Sequence, residues 1–579
     1  MRAAEMLGEP VGWRRESTGA GSAGGEVVAD VVAAALHALG VRFAFGVVGG
    51  GIAPFAEALQ RSPIRVHHFR HEAGAVFAAV EAYFRTGEPA AVFVTTGPGL
   101  LNALNAVVAA RWDGAQLVLV SGATTASRRG RWAVQETSAY TLPLAALGES
   151  HALFDYAVQL ADPAELEEVV RRLRTGLERP AGFVAHLSLP LALQSARRQA
   201  PFAAAAARLE SPGADPAAAA RCAALVREGS LVLWVGHGAR GAADAVRALA
   251  ERTGACVMCS PRAKGIFPEG HPRFLGVTGA GGHVHPETYF SLHRPDHVLV
   301  LGTRLGEVTS FWSPRLRPAR AFLHVDCDPA SIGVAYPDVP VVGFVAEIGA
   351  FLRYLLQQLP PHVPASPAPP PLLWPIPPAP RAAGPVRPQL LLQAIQDVVV
   401  DGSDAPVLSE SGNSFAWANH HLRFGTPGRY RTSAAWGSMG HMTTGVVGAA
   451  LAGHGKAVAL VGDGAMLMNN EISTAVAYGA PAVWIVLNDA QYGITDQAMR
   501  AQGLAPVETQ LPRVDFVAFA RSMGADGVRV AEEAGLEAGL EAALAAPGPF
   551  VVDVWIDRTE VSPVVARRIA SLEAQGGRR

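Results

Sequence analysis

Val461-Gly-Asp-Gly464 closes the apolar run Ala457-Val-Ala-Leu-Val461, and Leu487-Asn-Asp489 closes the run Ala482-Val-Trp-Ile-Val-Leu487. Each run has the length and composition of a strand buried on both faces, and each ends in side chains that carry oxygen. The stretch between them is helical in pattern, so the pair reads as parallel strands joined by a crossover helix. Carboxyl ends of parallel strands share one edge of a sheet, which would bring Asp463 and Asp489 to one cation there. Magnesium suits such a place, because it takes carboxylate and carbonyl oxygens and commonly binds beside phosphates. Gly462 and Gly464 would let backbone N–H groups approach those phosphates, and the N-terminus of the next helix adds positive potential. A lone Gly-Asp-Gly turn is also common in chains that bind nothing, so the remaining segments must decide.

Upstream the same rhythm recurs twice. Phe43 to Val48, Val92 to Thr95, Leu117 to Ser121 and Phe183 to Leu187 form one set of strand candidates. Leu231 to Gly236, Ala255 to Cys259, His297 to Gly302 and Phe322 to Asp326 form a second, and Phe550 to Trp555 adds to the third. The expected fold class is α/β, with three doubly wound parallel-sheet domains. Residues 359–388 are crowded with proline, which favours extended backbone and marks a linker. The expected order is an N-terminal tail 1–23, domains 24–195 and 205–358, the linker 359–388, a domain 389–565 and a tail 566–579. A length of 579 residues agrees, since one hydrophobic core rarely grows past about 250 to 300 residues.

With 48 basic and 50 acidic residues the net charge is −2, which gives no reason to expect nucleic acid or an anionic membrane as partner. The tail lacks the apolar core of a signal peptide, and no run is long enough to span a bilayer. Four cysteines do not make a disulfide framework, so a reducing, cytoplasmic setting is expected. Cys256 and Cys259 are spaced like half a metal site, but they sit in a buried-strand pattern with no second pair. His67-His68 and His420-His421 read as surface residues of a strand or helix.

Five more segments carry chemistry. Phe69-Arg-His-Glu72-Ala-Gly-Ala enters a helix after an extended stretch, where Glu72 would in any case complement the helix dipole. Thr95-Thr-Gly-Pro-Gly99 precedes Asn102, and Trp132-Ala-Val-Gln135-Glu136 lies in an Arg-rich loop. Glu410-Ser-Gly412-Asn413-Ser414 and Gly437-Ser-Met439-Gly440 lie upstream of Asp463.

Taken in order, these segments resemble those of thiamine-diphosphate enzymes of the acetolactate-synthase-like type, over about residues 25 to 560. The resemblance implies a pyrimidine-binding, a central and a diphosphate-binding domain, and thiamine diphosphate with Mg2+ as cofactors. Asp463, Asp489 and the backbone carbonyl of Gln491 would hold the metal, and Gly412, Asn413, Ser414, Gly464 and Ala465 the diphosphate. Gly437 and Met439 match the Gly-x-Met-Gly whose Met wedges the cofactor into a bent shape, although Met439 would also serve as ordinary packing. Glu72 matches the Glu that hydrogen-bonds the aminopyrimidine and drives its imino tautomer. Gln135 matches a Gln that reaches the substrate, or else is a polar residue of an exposed loop. Two departures stand out: most members carry Asn where Asp489 stands, and the stretch Met468-Asn-Asn-Glu471 is one residue short. Pro261-Arg-Ala-Lys264-Gly265 resembles the central domain and makes Lys264 a substrate candidate. In anabolic acetolactate synthases that domain binds FAD, but the flavin-facing Met-His-Gly is replaced here by Ala280-Gly281-Gly282, which counts against FAD. The resemblance also implies a homodimer or homotetramer with sites shared between subunits.

The reaction implied is carboligation: decarboxylation of a 2-oxo acid, pyruvate or larger, and addition of the remainder to an acceptor aldehyde or 2-oxo acid, giving an acyloin or acetolactate-type product. The family's substrate-sensing Trp falls at Ala498, and Gly122-Ala-Thr-Thr125 replaces its Gly-Gln-Val-Pro turn. Both changes would widen the acceptor side for bulkier partners. The alternatives are a decarboxylase that releases aldehyde, which lacks its expected His-His pair here because the loop reads Arg128-Arg-Gly-Arg131, a flavin-linked oxidase, and a non-catalytic regulatory relative. The last requires loss of Glu72 or Asp463, and both are present.

Overall fold

The computed structural model describes residues 25–142, 147, 153–198, 202, 213–361, 366–453, 455–505, 507–567 and 569. The expected tail 1–23 lies outside them, as does the C-terminal tail beyond 569. Three six-stranded parallel sheets carry the chain. The first holds β1 Phe43–Gly46, β2 Arg65–His68, β3 Ala90–Val94, β4 Gln116–Ala123, β5 Tyr156–Gln159 and β6 Phe183–Pro190, in the order β2-β1-β3-β4-β6-β5. The second holds β7 Leu231–Val235, β8 Cys256–Cys259, β9 Phe274–Val277, β10 His297–Leu301, β11 Ala321–Asp326 and β12 Val341–Val345, ordered β12-β11-β10-β7-β8-β9. The third holds β13 Val407–Ser409, β14 Tyr430–Thr432, β15 Ala457–Gly462, β16 Ala482–Asn488, β17 Asp526–Val530 and β18 Phe550–Trp555, ordered β14-β13-β15-β16-β18-β17. Strand for strand, the first and third sheets have the same connectivity.

The inner strands are apolar throughout because helices cover both faces of each sheet, as parallel sheets require. One continuous core joins the first and third domains, running from Phe45 and Val76 through Val446 to Val461 and Trp484. At its centre helix Glu72–Thr86 crosses helix His441–Ala452. A Cβ on Gly448 would come within 2.0 Å of the Ala78 carbonyl oxygen, so glycine is what permits the crossing. Both helices are apolar nearly all round, the mark of helices buried on every side.

Charged groups join all three domains beside that crossing. Arg431 donates to both Glu81 oxygens, at 2.9 and 2.7 Å, and to Asp113 at 3.3 Å, while stacking on Phe84. His441 meets Glu81 at 3.2 Å, and Arg262 of the central domain donates to the Asp113 carbonyl at 2.9 Å. Burial alone would raise the Glu81 carboxyl, but the Arg431 charge and its hydrogen bonds outweigh this and hold it near 2. Although Glu81, Asp113 and His441 lie close enough to ligate a cation, the guanidinium of Arg431 already supplies the positive charge there.

The proline-rich stretch 366–380 has no regular structure and runs across the central domain, where Ser366 bonds both backbone groups of Leu231. Cys256 and Cys259 lie buried in β8 as free thiols. The two His pairs correct the surface reading. His67 packs edge-on against Tyr478 of the third domain, and His283 Nε2 of the central domain donates to the His420 carbonyl at 3.1 Å, so both pairs lie between domains. Among the described residues, no helix is long and apolar enough to cross a membrane.

Candidate active site

A pocket opens at the carboxyl edge of the third sheet, beside the point where strand order reverses between β13 and β15. Its walls are the segments that leave the strands: Ser411 to Ser414 after β13, Gly462 to Ala465 after β15, Asp489 to Gln497 after β16 and Ile556 to Glu560 after β18. Asp463 opens a short helix directly after β15, and Asp489 follows Asn488 at the end of β16.

Burial, and then the neighbouring Asp489, push the Asp463 carboxyl up to about 7. Burial likewise pushes Asp489 up to about 6 against hydrogen bonds from Gln491. Asp463 Oδ1 accepts from the Gly464 N–H at 2.8 Å, and Asp489 Oδ2 from Gln491 Nε2 at 3.2 Å. A buried and a partly buried carboxylate that repel each other are the donor set a hard divalent cation satisfies, and binding it would return both to the ionised form.

The rest of the pocket suits a diphosphate. Asn413 Oδ1 is buried with no partner. A Cβ on Gly493 would meet Asp489 Oδ2 at 2.5 Å and Asn413 Nδ2 at 2.9 Å, so acid and amide converge there. Gly412, at φ 101°, turns the chain into helix Asn413–His421, whose N-terminus joins the pocket lining. Ser414 lines the pocket while donating to the Glu410 carbonyl at 2.8 Å. A Cβ on Gly464 would strike Tyr492 at 2.7 Å and approach Met439 Cε at 3.5 Å, which puts Met439 directly across from the Gly-Asp-Gly turn. Gly437, at φ 73°, accepts from Ser411 Oγ at 3.3 Å and so ties the Met439 turn to the β13 segment.

Glu72 lies elsewhere, at the carboxyl edge of the first sheet, and does not line this pocket. It opens its helix, is nearly buried, and accepts from Asn102 Nδ2 at 3.0 Å. Thr95 and Gly99 pack beside it: a Cβ on Gly99 would lie 2.9 Å from Thr95 Cγ2 and 3.4 Å from Glu72 Oε1. Gln135 is exposed, has φ 54°, and accepts from Thr96 Oγ1 at 3.1 Å. Glu72, Asn102 and Gln135 therefore form a second group, and none of the three lines the pocket.

Two expected substrate residues fall outside both groups. Lys264 is fully buried and donates to Glu269 at 2.9 Å, below the aromatic rings of Phe424 and Tyr430. That arrangement is a contact between central and third domains, which corrects the substrate assignment: an ammonium sealed by its own counter-ion cannot reach a ligand. Ala498 is half-buried on helix Gly493–Ala501, and its neighbours Ile494, Thr495 and Gln497 line the pocket in its place. The segment Ala280–Gly282 is closed off by helix Asn413–His421, with Asn419 donating to the Ala280 carbonyl at 2.7 Å.

Sequence reasoning missed Asp557, Arg558 and Glu560, whose only signal was their position just after the last strand. It also gave Glu410 no task. The Glu410 carboxylate accepts from the Met442 and Thr443 N–H groups at 3.0 and 3.1 Å, capping the helix that follows Met439.

Three family profiles match the chain in order. They are described as the thiamine pyrophosphate enzyme N-terminal TPP binding domain, over residues 26–142, the central domain, over 219–355, and the C-terminal TPP binding domain, over 410–554. The chain is 29% identical over 561 residues to an acetolactate synthase large subunit of Parasynechococcus marenigrum, covering 91% of this chain and 87% of that one. It is 28% identical over 569 residues to the acetolactate synthase isozyme 1 large subunit of Escherichia coli, covering 95% and 97%. Its fold matches a thiamine diphosphate-dependent 4-hydroxybenzoylformate decarboxylase of Rhodococcus jostii at a TM-score of 0.80, with 22% identity, over 92% of this chain and 99% of that one.

Proposed function

Because the chain belongs to the thiamine pyrophosphate enzyme family and is acetolactate-synthase-like, we propose that it is a carboligase that uses thiamine diphosphate and Mg2+. It decarboxylates a 2-oxo acid and joins the remainder to an acceptor aldehyde or second 2-oxo acid. The observation that carries this reading is the acidic pair Asp463 and Asp489, which lines one glycine-rich pocket with Asn413, whose amide oxygen is buried without a partner.

When bound, the cofactor supplies the electron sink for decarboxylation. The carboxylates of Asp463 and Asp489 and the Gln491 carbonyl would hold the metal. Asn413, Ser414 and the N–H groups around Gly464 and Ala465 would hold the diphosphate, and Met439 would prop the cofactor's bend. Glu72, kept in place by Asn102, would hold a proton at the pyrimidine ring. Gln135 would orient the substrate.

For Glu72 to meet that pocket, a second copy of the chain must supply it, so the functional unit is a homodimer or a homotetramer built from such dimers. Exposed apolar side chains support this. Trp132, Val134 and Tyr140 stand open beside Gln135, and Trp436, Leu467 and Met468 stand open near the Met439 and Asp463 turns. Apolar surface of this kind marks an interface. No flavin is included, because Ala280–Gly282 faces protein.

Ile494, Thr495 and Gln497 line the pocket from helix Gly493–Ala501, and Ala498 stands on that helix where the family's substrate-sensing Trp falls, which favours partners bulkier than pyruvate. Product analysis tests the reaction. The protein is supplied with pyruvate or larger 2-oxo acids, with and without aldehydes, and the products are read by mass spectrometry. Hydroxyketone or acetohydroxy acid products support carboligation, and free aldehyde as sole product contradicts it.

A further inference from the structure

Glu471 belongs to the third domain, two residues past Asn469, yet its carboxylate is spent on the first. Both its oxygens accept from the Arg70 N–H at 3.1 Å, and Oε1 also accepts from the His71 N–H at 3.0 Å. Thr474 donates to the other oxygen. The side chain is nearly buried, and the backbone takes φ 55°, a left-handed value that a glutamate adopts only under constraint. At the far end of the same helix, Tyr478 OH accepts from the His68 N–H at 2.7 Å. Gly74 leaves room for the carboxylate, since a Cβ there would lie 2.8 Å from Glu471 Oε1.

These contacts bracket one segment. His68 ends β2, Arg70 and His71 cross to the helix, and Glu72 is the helix's first residue. β2 is an edge strand, so its backbone direction is not fixed by neighbours on both sides. From this we infer that Glu471 is a positioning residue for Glu72, with Tyr478 as its second point of support: together they set the angle at which Glu72 leaves the sheet. The inference rests on the role proposed above for Glu72. A backbone clamp of this kind matters because a misplacement of about 1 Å can cost on the order of a hundredfold in rate.

The test follows exchange of the thiazolium C2 proton of bound thiamine diphosphate for deuterium, by quenched-flow NMR on the full chain with Mg2+. Cofactor affinity is read separately from quenching of tryptophan fluorescence. Glu471→Ala should slow exchange by about tenfold or more while affinity shifts less than about threefold. In a Glu72→Gln background it should slow exchange no further, as expected of residues that act as one unit. Glu471→Gln and Tyr478→Phe keep the packing and should slow exchange in the same direction by about twofold to fivefold, which keeps the inference testable should Glu471→Ala not fold. Exchange at the parent rate in both conservative variants overturns the inference, as do losses that multiply in the double variant. If Glu72→Gln itself exchanges at the parent rate, the role proposed for Glu72 fails instead.

Discussion

Asn102 donates its side-chain amide to Glu72 Oε2 at 3.0 Å, from the second turn of the helix that follows Thr95-Thr-Gly-Pro-Gly99. The bond explains why an Asn stands three residues after that turn: its helix delivers the donor, and the preceding strand-to-helix junction, after β2, delivers the acceptor. Asn102→Ala should lower kcat by about tenfold, the scale of one lost buried hydrogen bond, with a smaller change in KM. Steady-state kinetics on a 2-oxo acid checks this, and an unchanged kcat would detach Asn102 from Glu72's task.

Asp463 and Asp489 differ in what they can lose. Asp463→Asn should weaken Mg2+ binding by about a hundredfold or more, since even supporting partners of metal ligands reach that scale. Asp489→Asn retains an oxygen ligand, and should weaken it by about tenfold or less. Calorimetric titration of metal into chelator-stripped protein with thiamine diphosphate present separates the two.

Arg431 is buried among Glu81 and Asp113, whereas Arg61 pairs with Asp30 in the open. Arg431→Met should destabilise the protein by about 3 to 5 kcal/mol, because it removes the counter-ion that two buried carboxylates share and leaves them only the weaker contacts to His441 and Arg262. Arg61→Ala should cost less than about 1 kcal/mol. Urea denaturation followed by tryptophan fluorescence reads both.

Burial holds His67, His186 and His324 down at about 4 and His421 at about 3. In the unfolded chain histidines take up protons below about 6.5. At these four sites the unfolded state therefore binds more protons between about pH 6.5 and 4, and their contribution to stability should fall as pH falls through that window, against the opposite contribution of the raised carboxyls of Asp463 and Asp489. His186 is held between Ser121 Oγ at 2.8 Å and the Leu147 carbonyl at 2.7 Å, so His186→Gln should flatten part of the slope. Thermal midpoints measured across the window check it.

How much of this was legible in the sequence depended on burial. Inner strands such as β4, β7, β10 and β16 announce themselves as unbroken apolar runs because helices cover both their faces. The six edge strands β2, β5, β9, β12, β14 and β17 were not singled out, and neither was the three-residue β13. An edge strand such as β12 or β17 is partly exposed, so its pattern is mixed. In the site, Asp463, Asp489, Met439 and Asn413 were readable because each sits in a short local motif. Glu471 and Glu410 were not, since their partners are backbone N–H groups that no residue type advertises. Lys264 was misread for a related reason: a cation looks functional until its counter-ion, Glu269, is seen in the same sealed space.

The central claim is that each site takes Glu72 from one chain and Asp463 from another. Glu72→Gln and Asp463→Asn chains, each inactive alone, are co-expressed in equal amounts and the unseparated dimers assayed. Shared sites give one intact site in each mixed dimer, so random pairing should restore roughly a quarter of parent activity. Activity that stays at the level of the separate variants, with mixed dimers shown to form, would contradict it.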